Sequence, residues 1–176
     1  MCIRDRREGP VNLRNAATVA GSVLAAESSS EMLLTLLVLA ADAIVVDGDG
    51  EERTVLLADL LADRPALLGR GLITELRLPW PKSGVCGGLA RVARTPADHP
   101  IVAAATVVDG SHLRVAIGGV TPLPVVVQLD ADDDLAQTIT SAVSGLDYVS
   151  DFRGSSEYRQ AMAPILARRA VEQAHS

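Results

Sequence analysis

The chain is poor in aromatic residues: Trp80, Tyr148, Phe152 and Tyr158 are all it has in 176 positions. Its core must therefore be built from Ala, Val, Leu and Ile, and a flat ligand ring would find few aromatic faces to stack on. It is equally poor in lysine, with Lys82 alone among 16 basic residues. The net charge is −6 and the pI is near 5.0. No basic stripe interrupts that acidity, which argues against nucleic acid as a partner. No apolar run reaches the ~18 residues that a spanning helix needs; the longest, 32–41, has the length of a buried helix. Residues 1–8 are charged rather than apolar, so no secretory signal pattern is present. Cys2 and Cys86 make neither a disulfide framework nor a metal-ligand pattern, and they suit a reducing cytoplasm. His99, His112 and His175 lie far apart, lack ligand spacing, and read as loop or surface residues. What remains is 48% apolar, enough to bury a core and to exclude global disorder.

Residues 1–8 have no period and no turn logic; they read as an unstructured leader, with structure beginning near Gly9-Pro10. Leu13-Arg14-Asn15-Ala16-Ala17-Thr18-Val19-Ala20-Gly21-Ser22 reads as a strand-like run ending in small residues. Such a loop has little Cβ bulk to hold a phosphate away from backbone N–H groups, although the same pattern suits an ordinary turn. Ser28-Ser29-Ser30-Glu31 opens a helix, with Ser28 as cap and Glu31 three residues on in the capping-box position. Met32, Leu33, Leu36, Leu37 and Ala40 give it an apolar face. A hairpin follows, 42–47 and 53–57, turning at Gly48-Asp49-Gly50. A short helix within 56–61 precedes a half-buried strand at 72–78, stopped by Pro79-Trp80-Pro81.

The stretch 82–88, rich in Gly and Ser, is the candidate domain boundary. Strand-like runs at 89–94, 101–108 and 113–120 come next, the last two joined by Asp109-Gly110-Ser111, and 118–122 ends the sheet. The acidic run 130–134 leads into a helix at 135–144, where acidic residues suit the helix dipole. It lacks the alternating order of a calcium loop. Ser155 caps a final helix running to about 173, with Tyr158, Met162, Ile165, Leu166 and Val171 on its apolar side and a kink at Pro164. The fold class is α+β, with helices packed on short antiparallel sheets. No catalytic acid–base pair, nucleophile or metal-ligand cluster stands out.

Four stretches, in this order, resemble the flavoprotein (medium) subunit of the molybdenum hydroxylases, the xanthine dehydrogenase and carbon monoxide dehydrogenase group. Arg14-Asn15-Ala16-Ala17-Thr18-Val19-Ala20-Gly21-Ser22 is similar to the family's Arg-Asn-x-x-Thr-(Ile/Val)-Gly-Gly-Asn. Gly71-Leu72-Ile73-Thr74-Glu75-Leu76-Arg77-Leu78-Pro79 is similar to Glu-Leu-Ile-Thr-Glu-(Val/Ile)-Arg-(Ile/Leu)-Pro. Ile117-Gly118-Gly119-Val120-Thr121-Pro122 resembles (Leu/Ile)-Gly-Gly-Val-Ala-Pro, and Arg153-Gly154-Ser155-Ser156-Glu157-Tyr158-Arg159 resembles Arg-Gly-Ser-Ala-Glu-Tyr-Arg. Together they cover roughly residues 9–171.

The resemblance implies the C-terminal part of an FAD-binding domain (9–82), followed by a small antiparallel sheet packed with helices as a C-terminal domain (83–176). It implies FAD as cofactor. A partner small subunit would carry 2Fe-2S clusters and a partner large subunit the molybdenum cofactor. Electrons would pass through FAD to an acceptor. By the same resemblance Thr18 and the backbone of Ala20 and Gly21 lie against the FAD phosphates, with Ser22 in the place of an Asn. Glu31 stands where an Asp accepts hydrogen bonds from the cofactor. Leu72 packs on the flavin ring, and Arg91 stands where a Lys lies near it. Ala20, Ser22 and Glu31 are departures from the pattern. Read without the resemblance, Thr18 caps a turn, Glu31 completes a capping box, Leu72 is core and Arg91 is a solvated strand residue. The family's N-terminal half, with its own glycine-rich phosphate loop, has no counterpart before Gly9. The expectation is therefore a member truncated at its N-terminus, which alone is inactive and binds FAD weakly or not at all. The competing reading is a non-catalytic assembly module that docks to partner subunits without binding flavin. A flavin oxidase or reductase of the wider superfamily fits the last two motifs less well.

Overall fold

The computed structural model describes residues 11–63, 66, 71–80, 83–130 and 133–175; the leader read at 1–8 and the start of the boundary at Lys82 lie outside them. The first described segment is helical, which corrects the strand-like reading of 13–22. Helices α1 (Val11–Ala16) and α2 (Val19–Ala25) meet at Ala17-Thr18. Alanine is the strongest helix former, and this stretch carries it at 16, 17, 20 and 25. The Thr18 hydroxyl accepts from the Gly21 N–H at 3.0 Å and caps α2. Helix α3 (Glu31–Val38) is capped by Ser30, which accepts from the Leu33 N–H at 3.2 Å. Ser28, the expected cap, is used elsewhere.

Strands β1 (Asp42–Asp47) and β2 (Glu52–Leu56) form the expected hairpin, followed by α4 (Leu57–Ala62) and β3 (Gly71–Arg77). They make an antiparallel sheet in the order β2-β1-β3. Pairing passes from Ile44↔Glu75 to Val45↔Ile73, so Thr74 is an extra residue in a bulge. Its hydroxyl donates to the Ile44 carbonyl at 3.3 Å. The bulge resets the period of two, so buried Ile73 and half-buried Leu76 both face the core cluster despite their spacing.

The second sheet is a four-stranded antiparallel meander: β4 (Cys86–Val92), β5 (Val102–Asp109), β6 (His112–Gly118) and β7 (Val125–Asp130). It does not end at 118–122, because the valine run at 125–127 pairs with β6 as a fourth strand. Nor does β4 start at Leu89. Gly87 and Gly88, read as boundary, lie within it, because the closing helix runs across β4. A Cβ at Gly88 would sit 1.9 Å from the Ala170 carbonyl oxygen.

That closing helix, α6 (Ser156–Ala174), packs on β4 and β5 beside α5 (Leu135–Val143). It runs on through Pro164 and buries Arg159, Ala163, Leu166, Ala167, Ala170, Val171 and Ala174. The buried face is thus largely alanine, and Tyr158, expected on it, is exposed.

Helix α3 lies on the opposite face of the second sheet and also reaches the first. Leu33, Leu34 and Leu37 share one cluster with Ala43, Val45 and Ile73 of the first sheet and with Leu89, Ala103, Ala105 and Ala116 of the second. Methyl-sized side chains on β5 and β6 let α3 approach the sheet closely. A continuous apolar cluster therefore crosses position 82. The α+β class read from the sequence holds.

Candidate functional site

Thr18, Ala20, Gly21 and Ser22 form the first turn of α2. The Gly21 N–H is taken by the Thr18 hydroxyl, and the Ser22 N–H by the Thr18 carbonyl at 2.9 Å. A Cβ at Gly21 would lie 3.1 Å from that hydroxyl oxygen, so the glycine makes room for the cap. Helix α2 packs against β3, the strand that carries Leu72. That side chain is 68% exposed and projects away from the core, so it is not a core residue.

Glu31 and Arg91 are brought to each other. The Glu31 carboxylate is 3.7 Å from the Arg91 guanidinium, and Glu31 is only 4% exposed. Arg91 also donates to the Asp98 carbonyl. Its position on β4 is half-buried rather than solvated. The pair joins the start of α3 to the second sheet.

Just before Glu31, the turn at 27–30 is clipped to two of the stretches that carried the resemblance. Ser28 donates to the Thr121 carbonyl at 2.9 Å and accepts from the Gly119 N–H at 3.3 Å. Its carbonyl oxygen fills the space of a Gly118 Cβ, which would lie 1.9 Å away. Gly119 has φ +80°, a conformation open to glycine. The Arg153 guanidinium grips both oxygens of Glu27, at 2.5 and 2.8 Å.

Arg159, 3% exposed, donates to the carbonyls of Ile101 (2.6 Å), Gly119 and Gly154 and to the Asp151 carboxylate (2.6 Å). Hydrogen bonds from Arg153 hold the Glu27 carboxyl below its ordinary value, against partial burial. Burial would raise Asp151, but the N–H groups of Arg153 and Gly154 and the Arg159 guanidinium outweigh it and lower that carboxyl. The sequence reading missed this clip. The signal was present in the paired glycines and paired arginines, which carried a resemblance but had been given no role.

Residues 6–81 match the family described as FAD binding domain in molybdopterin dehydrogenase. The chain is 27% identical over 183 residues to the glyceraldehyde dehydrogenase medium chain of Sulfolobus acidocaldarius, covering 96% of this chain and 65% of that one. It is 28% identical over 178 residues to the nicotine 6-hydroxylase medium subunit of Paenarthrobacter nicotinovorans, covering 92% and 62%. The chain thus spans less than two thirds of these curated relatives. Its fold is similar to a chain of CO dehydrogenase from Oligotropha carboxidovorans (TM-score 0.76, 24% identity, 94% of this chain and 63% of that one). It is similar again to quinoline 2-oxidoreductase from Pseudomonas putida 86 (TM-score 0.74, 23% identity, 94% and 63%). Residues 6–81 thus match a dedicated FAD-binding family, and nearly the whole length of the chain is similar to the medium subunits of larger dehydrogenases and hydroxylases.

Proposed function

We propose that this chain helps to hold FAD in a multi-subunit molybdenum hydroxylase and so takes part in electron relay. Iron–sulfur clusters of a partner small subunit would feed the flavin, an acceptor would drain it, and the molybdenum cofactor would reside in a partner large subunit. The match of residues 6–81 to an FAD-binding family carries the reading. FAD, when bound, supplies the redox chemistry, so the chain's contribution is binding, orientation and electrostatics.

The residues present fit that task. The Thr18 hydroxyl lends a lone pair to Gly21 and keeps its own proton as a donor. The N–H groups of Val19 and Ala20 head α2 with no intrahelical acceptor. Two such donors and a hydroxyl suit a phosphate oxygen. Leu72 offers an apolar side chain to a ring. Arg91 carries a positive charge that favours nearby negative charge, and Glu31 fixes where that guanidinium points.

The test is flavin retention. The chain is assembled with its partner subunits, passed through gel filtration and read by its visible spectrum. Flavin that co-elutes with the wild type and is lost with Thr18→Lys supports the proposal. An assembled complex that elutes colourless with FAD supplied, or a Thr18→Lys complex as yellow as the wild type, overturns it.

A further inference from the structure

We propose that the open end of the second sheet is a docking groove for an arginine-bearing segment of a partner protein. The groove follows from the length of α3. That helix ends at Val38 and covers only the part of the sheet face near Ala103, Ala105 and Ala116. By the strand register, the next rows of the same face are Val107, Arg114 and Gln128, then Asp109, His112 and Asp130. They floor a cavity of about 700 Å³ beyond the helix end, walled by Leu39 on one element and by Pro79 and Trp80 on another. That volume lies within the ~300–1,000 Å³ of ordinary ligand sites.

Two features of the groove select its occupant. The first is Trp80, the sole tryptophan, 92% exposed and directly following Pro79. An exposed indole beside a groove is the anchor type that partner-binding surfaces favour, and its face attracts a cation. The second is charge. The C-terminal end of α3 points its partial negative charge into the groove. Arg114, the one arginine among the described lining residues, is already turned onto the Val38 carbonyl at 3.0 Å. Asp130 and Asp133 stand on the rim, tied together by the Asp130 N–H donating to the Asp133 carboxylate at 2.9 Å, with His112 on Asp130 at 2.6 Å.

A planar guanidinium meets both demands, forking onto carboxylates and stacking on an indole. A lysine meets only the charge. A second copy of a chain of net charge −6 is disfavoured by its own repulsion. The groove's residues are none of those assigned to flavin, so this inference stands or falls separately from the proposed function.

Because Trp80 is the only tryptophan, its emission reports this groove alone. The full chain is titrated with a capped five-residue peptide bearing two arginines. The same peptide is then used with lysines and with glutamates. The expected result is a saturable change in Trp80 emission with the arginine peptide, weaker binding of the lysine peptide and none of the glutamate peptide. Affinity should fall as salt rises. Asp130→Asn with Asp133→Asn should weaken binding about tenfold. Trp80→Ala, followed through a labelled arginine peptide, should weaken it by about as much. Absence of a saturable change up to millimolar peptide, equal binding of the glutamate peptide, or unaltered affinity in both variants would overturn the inference. So would an emission change that tracks protein concentration and sedimentation without peptide, which would assign the groove to a second copy.

Discussion

Arg159→Met is the most informative single change to stability. The guanidinium is buried and serves the carbonyls of Ile101 and Gly119, both in buried residues. Methionine matches its length but donates nothing. Each buried acceptor left unmet costs about 1–3 kcal/mol. Asp151, whose side chain is 39% exposed, can recover water, so its lost ion pair adds little. The sum is about 2–6 kcal/mol, which brackets the ~3–5 kcal/mol found when one partner of a buried pair is removed. In a chain of this size that lowers Tm by roughly 4–24 °C. The assay is urea unfolding followed by far-UV circular dichroism. Trp80 fluorescence would be a poor reporter, because that side chain is already exposed in the folded state. Arg159→Lys keeps a charge but not the fork, and should fall between the two. A loss under about 1 kcal/mol for Arg159→Met, with the slope of the urea transition unchanged, would refute the reasoning.

Gly118→Ala should destabilise by about 1–3 kcal/mol, because the new methyl lands 1.9 Å from a backbone oxygen that can move only with the whole 27–30 turn. Gly48→Ala, with nothing within 4 Å, is the control and should stay within about 0.5 kcal/mol. Acid should weaken the clip. Glu27 and Asp151 are lowered from ordinary values of 4.5 and 3.8, so their contribution is present above those values and lost as pH falls below them. Thermal melts of the wild type should therefore decline between about pH 5 and 3, and Arg153→Met should show a shallower decline. Leu72→Asp should leave stability within about 0.5 kcal/mol while reducing flavin retention in the assembled complex; a change in stability without a change in flavin would remove Leu72 from the site.

Element type was legible wherever one local rule ruled. The 42–57 hairpin, the half-buried strand ahead of Pro79 and the Ser155 cap followed from turn residues, periodicity and capping. The failures have specific causes. At 13–22, attention to small residues as a phosphate loop hid a run of alanines that favours helix. At Ser28, the capping-box spacing was present, but a hydrogen bond to Thr121, 93 residues away, had a better claim on the side chain. At Gly88, a glycine that reads as a linker is a strand residue because another helix passes over it, and no local pattern carries that information. The site followed the same division. Thr18 to Ser22 were legible as one turn. That Glu31 and Arg91 would face each other depends on how two sheets share α3, and their separation in the chain gives no hint of it.

The shared helix also sets an order of assembly. Residues of α3 are synthesised early, yet much of their apolar surface is covered by strands that leave the ribosome about 60–80 residues later. The clip that locks the arrangement waits longer still, for Arg153 and Arg159. Until then the nascent chain carries a greasy helix whose four-stranded cover is unfinished or unlocked, a state that invites capture by chaperones or by a neighbouring nascent chain. A substitution in the last quarter of the sequence can therefore lower the yield of soluble protein through the first quarter, long before any flavin is involved.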